Sequence, residues 1–185
     1  MRHVVIMAGG SGTRLWPVSR AETPKQLIPF INGRSLLEES FNRFEGLIPV
    51  DRRYVCAARR HRDLIISSIN GLDEDRFLGE PIGRDTLNAA GLSAVILARR
   101  DPEAIIGIFT ADHIIEPADE FQKIIEKGFS LVEKSPETLV TFGITPTGPV
   151  TGYGYLELGE SIGEDSSRLV QVFREKPSLD KAVEF

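Results

Sequence analysis

Cysteine is almost missing from this chain: Cys56 stands alone, which excludes an internal disulfide. Its setting, Tyr54-Val55-Cys56-Ala57, reads as a buried strand thiol rather than a nucleophile. Apolar runs of membrane-spanning length are absent, and the N-terminus has no long apolar stretch of the kind that directs secretion. The cytoplasm is therefore the expected compartment. Positive charge is not in excess either: 22 basic against 27 acidic side chains leave −5, which argues against a general nucleic-acid binder. Repeats, low-complexity segments and flexible linkers are not found. What remains is 185 residues, 41% hydrophobic and 26% charged, long enough for one domain with its own core and short for two.

The acidic total hides a cationic region. Residues 1–34 carry Arg2, Arg14, Arg20, Lys25 and Arg34 against Glu22 alone, a balance suited to a small anionic ligand. Within it, the apolar run Val4-Val5-Ile6 breaks into Met7-Ala8-Gly9-Gly10-Ser11-Gly12-Thr13-Arg14, and Pro24 then fixes the chain before Lys25. Glycines let backbone N–H groups turn toward an anion, Ser11 and Thr13 add donors, and Arg14 and Lys25 supply charge: chemistry for a polyphosphate. Two familiar phosphate motifs fail here. The dinucleotide fingerprint needs a third glycine at position 15, where Leu15 stands, and no Gly-Lys-Ser/Thr triplet closes a Walker A loop.

Short apolar strands alternate with amphipathic helices, the pattern of an α/β fold, read here as a three-layer α/β/α Rossmann-like sandwich with a mixed, mainly parallel sheet. Strands are expected over residues 4–8, 53–57, 76–79, 104–109 and 138–144, with 104–109 as a central strand buried on both faces. Ser35 and Glu38 form a capping box for a helix with Leu37, Phe41, Phe44 and Ile48 on one face. A second helix is expected over 61–69. A third, capped by Asp85 or Thr86, would turn Leu87, Ala90, Gly91, Ala94 and Ala98 inward. A fourth, capped by Asp119, would bury Phe121, Ile124, Ile125, Gly128 and Val132. A glycine- and proline-rich loop from 145 leads to strands over 155–158 and 169–174 in a more antiparallel region, and Ser178 caps a helix over 179–185. That helix stops after two turns without a C-cap, so the chain reads as an N-terminal piece of a longer protein.

Ligands of open α/β sheets gather outside the C-terminal ends of the strands. Segments 9–14, 80–86 and 111–113 each follow an expected strand, so they are expected to converge on one crevice. Asp112 is the metal-ligand candidate there, because Mg²⁺ is satisfied by one or two carboxylates plus phosphate oxygens and water. The alternative is a turn or cap residue. His113 has no cysteine or histidine partner at zinc-like spacing.

Ala8-Gly9-Gly10-Ser11-Gly12-Thr13-Arg14-Leu15-Trp16-Pro17 with Pro24-Lys25-Gln26 resembles the sugar-nucleotide pyrophosphorylases. So do Glu80-Pro81-Ile82-Gly83-Arg84-Asp85-Thr86, Ala111-Asp112-His113, Thr151-Gly152-Tyr153-Gly154-Tyr155 and Glu175-Lys176-Pro177, in family order and over nearly the whole chain. Leu15-Trp16-Pro17-Val18-Ser19-Arg20 points to the branch that takes GTP and mannose 1-phosphate. The resemblance implies a nucleotidyltransferase (GT-A-like) fold and attack by the sugar phosphate on the α-phosphorus of GTP, assisted by Mg²⁺ and releasing pyrophosphate. Such transfer needs positioning and charge stabilisation more than a covalent nucleophile.

By the same resemblance, Ala8, Gly9, Gly10, Ser11, Gly12 and Thr13, with Glu80, Gly83, Arg84, Asp85 and Thr86, surround the nucleotide. Arg14 grips the triphosphate, and Lys25 sits between the two substrates' phosphates. Gly154, Glu175 and Lys176 hold the sugar phosphate. Asp112 shares Mg²⁺ with a second aspartate from later in the family's chain, which this sequence does not reach. A homo-oligomer stays open.

Glu80 suits guanine, since one carboxylate accepts from both N1–H and N2–H₂; the alternative is a strand-ending turn at Glu80-Pro81. The family more often has asparagine at position 85, so a direct contact from Asp85 to base or ribose loses its amide donor. Thr110 stands where relatives commonly carry proline. Glu175 and Lys176 would face opposite sides of a regular strand, and both reach one site only if the strand twists or ends at Arg174, as Pro177 suggests. Surface ion pairs are the plain alternative for Arg14 with Lys25 and for Glu175 with Lys176. Competing functions are a UTP- or dTTP-using relative, a nucleotide-binding chain without turnover, and a metal-dependent glycosyltransferase. The last would show Asp-x-Asp, whereas Ile114 stands two residues after Asp112.

Overall fold

The computed structural model describes residues 1–9, 25–31, 33–162 and 167–184. The chain forms two compact units, Met1–Leu139 and Val140–Phe185.

In the first unit, β1 (Arg2–Met7) is followed by an antiparallel pair, β2 (Pro29–Ile31) and β3 (Arg34–Ser35), and by α1 (Leu36–Asn42). Then come β4 (Arg53–Ala58), α2 (Arg62–Ser68), β5 (Phe77–Glu80), α3 (Asp85–Arg100), β6 (Ile105–Thr110) and α4 (Ala118–Lys134). The central sheet has the order β5-β4-β1-β6, every pairing parallel. Strand period 2 sorts its side chains cleanly. Val4, Ile6, Val55, Ala57 and Phe77 join a core with Leu37 and Phe41 of α1, Ile65 of α2, and Ile125 and Phe129 of α4. Val5, Tyr54, Cys56 and Leu78 point the other way, onto Ala89 and Leu97 of α3. Three layers follow directly from that alternation. Cys56 is buried as expected, and burial pushes its thiol up to about 11, so at neutral pH it is an inert packing group.

The α1 start matches its sequence signature: Ser35 Oγ accepts from the Glu38 amide at 3.1 Å. Leu37, Phe41, Phe44 and Ile48 are all buried, although the helix itself ends at Asn42. Phe44, Phe109 and Phe121 pack with centroids 4.8–5.8 Å apart, Phe121 edge-on to the other two rings, joining the segment after α1 to β6 and α4.

Expectations for four elements are corrected. The strand over 104–109 borders the described sheet instead of lying inside it, and is half-buried; a continuous apolar run reports covered faces, not rank in the sheet. No strand forms over 138–144, where Leu139 and Ile144 are exposed: among the described residues no neighbouring strand takes up its backbone groups. α3 turns Ala89, Ser93 and Leu97 inward, while Leu87, Gly91, Ala94 and Ala98 are exposed. Its N-cap is Arg84, and neither Asp85 nor Thr86 caps it. In α4, the N-cap is Pro117 rather than Asp119, and Phe129 is buried where Ile124 is half exposed.

The second unit holds β7 (Tyr155–Ser161) and β8 (Arg168–Arg174), an antiparallel pair in which Tyr155 faces Arg174, followed by α5 (Leu179–Glu184). Tyr155 Oη donates to the Val150 carbonyl at 3.1 Å and pins the loop ahead of β7. Among the described residues, no helix is long and apolar enough to cross a membrane.

Candidate active site

Parallel pairing brings the C-terminal ends of β1, β4, β5 and β6 to one edge of the sheet, and the backbone ties their extensions together. The Ala8 amide donates to the Cys56 carbonyl at 2.8 Å, and the Ala111 amide donates to the Met7 carbonyl at 3.1 Å. Glu80, the last residue of β5, lies against Gly9: its Oε2 is 3.9 Å from where a Cβ on Gly9 would stand. Gln26 is buried in the short 3₁₀ helix Lys25–Leu27, and its Nε2 donates to the Gly9 carbonyl. The structure therefore brings together the ends of the first, third and fourth expected strands, as the crevice argument requires.

Glu80 is 7% exposed, and burial pushes its carboxyl above the ordinary glutamate range. It opens a cleft of 310 Å³ lined by Glu80, Pro81, Ile82, Arg84, Asn88 and Leu92. Beside this cleft Gly83 is open, with nothing within 4 Å of where its Cβ would be, so a ligand can approach its backbone. Asp85 begins α3 at φ 62°, the left-handed region that asparagine and aspartate enter most readily among side-chain-bearing residues. Aspartate thus meets the backbone's need at this position as readily as asparagine would. Asn88 Nδ2 donates to the Arg84 carbonyl and closes the turn into α3, and Thr86 is exposed in the first helical turn.

Asp112 follows β6, its side chain 40% exposed, with His113 Nε2 at 3.9 Å from its Oδ1. Thr110 Oγ1 lies 3.4 Å from His113 Nδ1, and Arg43 donates to the His113 carbonyl at 2.7 Å. Among the described residues, no cluster of three or more histidine, cysteine or acidic side chains could cage a metal. A single hard oxygen donor open to solvent fits Mg²⁺ delivered with phosphate oxygens, and does not fit a zinc or an all-protein calcium site.

In the second unit the three sugar-phosphate candidates meet. β8 ends at Arg174, and Lys176 takes φ 43°, which breaks the strand alternation that would have sent Glu175 and Lys176 to opposite faces. Their side chains pair at 3.0 Å. The Lys176 amide donates to the Tyr153 carbonyl at 3.2 Å. A Cβ on Gly154 would overlap the Phe173 ring and stand 3.3 Å from Glu175 Oε2, so the bare glycine lets both groups close over it.

Gly10, Ser11, Gly12, Thr13 and Arg14 lie outside the described residues, as does the side chain of Lys25. Residue-by-residue reading missed three groups the structure places near these segments. Gln26 was legible only as the end of Pro24-Lys25-Gln26, and Asn88 as an in-helix polar residue. Arg43 left no signal at all, since its partner lies 70 positions away.

The nucleotidyl transferase family profile matches residues 3–185. This chain belongs to the nucleotidyl transferase family. Within the family it is 35% identical over 182 residues to the mannose-1-phosphate guanylyltransferase of Escherichia coli, covering 96% of this chain and 38% of that protein. It is 37% identical over 180 residues to the mannose-1-phosphate guanylyltransferase of Sinorhizobium fredii, covering 96% and 35%. The crystal structure of a mannose-1-phosphate geranyltransferase from Thermus thermophilus superposes with a TM-score of 0.86 at 32% identity, covering 99% of this chain and 52% of that one. The chain thus spans under two-fifths of the length of these two curated family members.

Proposed function

We propose that this nucleotidyltransferase forms GDP-mannose and pyrophosphate from GTP and mannose 1-phosphate in the cytoplasm. The observation that carries the proposal is the Glu80 carboxylate: buried at the end of β5, beside Gly9, and opening a cleft of base-binding size. A desolvated carboxylate there accepts from N1–H and N2–H₂ of guanine, a pattern that adenine and the pyrimidines do not present. Gly83 leaves its backbone open to the same ligand, and Ala8-Gly9 enters the phosphate-binding stretch from the end of β1, two strands away in the sheet, with Gly9 against Glu80.

Arg14 is assigned to the triphosphate, where it offsets charge developing on the departing pyrophosphate. Lys25 is assigned to the gap between the two substrates' phosphates, which repel one another until a cation separates them. Gly154, Glu175 and Lys176 hold the sugar phosphate: Lys176 meets its charge and Glu175 its hydroxyls. Asp112 holds Mg²⁺, which when bound neutralises phosphate oxygens.

Pyrophosphate release measured with GTP and mannose 1-phosphate tests the reading, with UTP and dTTP as controls. Arg14→Ala and Lys25→Ala are each expected to lower turnover about 100-fold or more. Near-parental rates in both, or a preference for UTP, would overturn it. The alternative reading is nucleotide binding without turnover. Calorimetric GTP binding with no pyrophosphate released would select it.

A further inference from the structure

A buried arginine stands behind the Asp112 loop. Arg43 follows α1 and is 9% exposed. Its amide donates to the Glu39 carbonyl, and its guanidinium lies 5.4 Å over the Phe121 ring. Gln122 Nε2 donates to the Arg43 and Glu45 carbonyls at 2.7 and 2.9 Å, which fixes the end of α1 against α4. Held from both sides, Arg43 extends one guanidinium nitrogen to the His113 carbonyl. Burial lowers its proton affinity and the Glu39 charge opposes that, so the fold retains a desolvated cation where an apolar side chain of equal length would pack without that cost.

The contact lies one residue beyond Asp112. On its other side, the Ala111 amide is bonded to β1 through the Met7 carbonyl. The loop is therefore clamped at 111 and at 113, with the Asp112 carboxylate between the clamps.

We propose that Arg43 is a positioning residue: its bond to the His113 carbonyl fixes the Asp112 carboxylate where the metal accompanying the nucleotide's phosphates is held. This rests on the reading of Asp112 as the Mg²⁺ ligand. A partner that orients a metal ligand is typically worth about 10–100-fold in metal affinity, while the nucleotide's own contacts with the protein are untouched. Lysine carries the charge but neither the planar fork nor the stacking face, so it replaces arginine only in part.

Calorimetry of GTP binding to the whole chain, with Mg²⁺ and with EDTA, gives the metal's contribution as the ratio of the two affinities. Arg43→Met is expected to leave the EDTA affinity within about twofold and to lower the ratio about tenfold or to unity. Arg43→Lys should fall between Met and the parent. Asp112→Asn should bring the ratio to unity. A parental ratio in Arg43→Met, or equal losses with and without Mg²⁺, would reduce Arg43 to packing and overturn the proposal. Should thermal melting show Arg43→Met unfolded, Arg43→Lys decides: a ratio within about twofold of the parent overturns it, and a lower one supports it. Asp112→Asn with a parental ratio would instead overturn the metal reading itself, so the two failures are told apart.

Discussion

Burying the Glu80 carboxylate lowers the stability of the ligand-free fold at neutral pH, and the sign follows from its raised proton affinity. In the unfolded chain the carboxyl ionises at its ordinary value, while in the folded chain it keeps its proton to higher pH. Between those two values the folded state binds more protons, so stability falls as pH rises through the window and stays lower above it. Glu80→Gln keeps the shape and removes the charge. We expect a higher Tm than the parent at pH 7, with the gain shrinking as pH drops toward about 4. The same substitution removes a charged acceptor from guanine, a bond type worth about 1.5–3 kcal/mol, so GTP affinity should fall roughly 10–150-fold. Thermal melts across pH and GTP calorimetry test both halves; a lower Tm at pH 7 would mean that the carboxylate is paired and stabilising.

Among the elements, α1 bears on two parts of the candidate site. It packs against the Lys25–Leu27 turn and carries Arg43 just beyond its last residue. Its N-cap is a single hydroxyl, so Ser35→Ala should cost about 1 kcal/mol, and Ser35→Thr much less. Urea unfolding would show this as a lower midpoint with an unchanged slope, and an unchanged midpoint would count against the cap. α1 was legible in sequence because Ser35 and Glu38 mark its start and Leu37, Phe41, Phe44 and Ile48 keep its phase through the turn that follows. β1 was legible because Val4, Val5 and Ile6 are apolar on both faces. α3 was legible as a helix but its rotation was not, since alanine, glycine and leucine surround it and no periodic contrast sets which face turns inward. The alternation in 138–144 speaks for a strand, but a strand also needs a neighbour, which no local pattern supplies. Of the site, the glycine, carboxylate and cation motifs were readable where residue type alone states the chemistry. The Arg43 bond was not, because it depends on how two distant segments pack.

At the scale of the whole molecule, the stretch leading from the first unit into the second is highly accessible. Leu139 is 98% exposed, Ile144 86% and Tyr153 70%, and no helix or strand spans residues 136–154. Chymotrypsin should therefore cut first between Leu139 and Tyr153. Every residue proposed to hold nucleotide or metal lies within Met1–Leu139, so nicked protein is expected to retain GTP affinity within a few-fold of intact protein. Mass spectrometry of early fragments and calorimetry of the nicked sample check this. First cuts inside β1, β4 or α4, or loss of GTP binding on nicking, would contradict it.

The position of β5 carries a further consequence. Among the described residues it borders the parallel sheet and bonds to β4 alone, whereas β1 lies inside between two neighbours. The residue proposed to tell one base from another thus sits at the margin, and the triphosphate stretch issues from the interior. The choice of letter therefore hangs from a strand held on one side only, so altering it leaves both pairings of β1 in place. The handling of three phosphates, common to every letter, starts from the strand that is gripped on both sides.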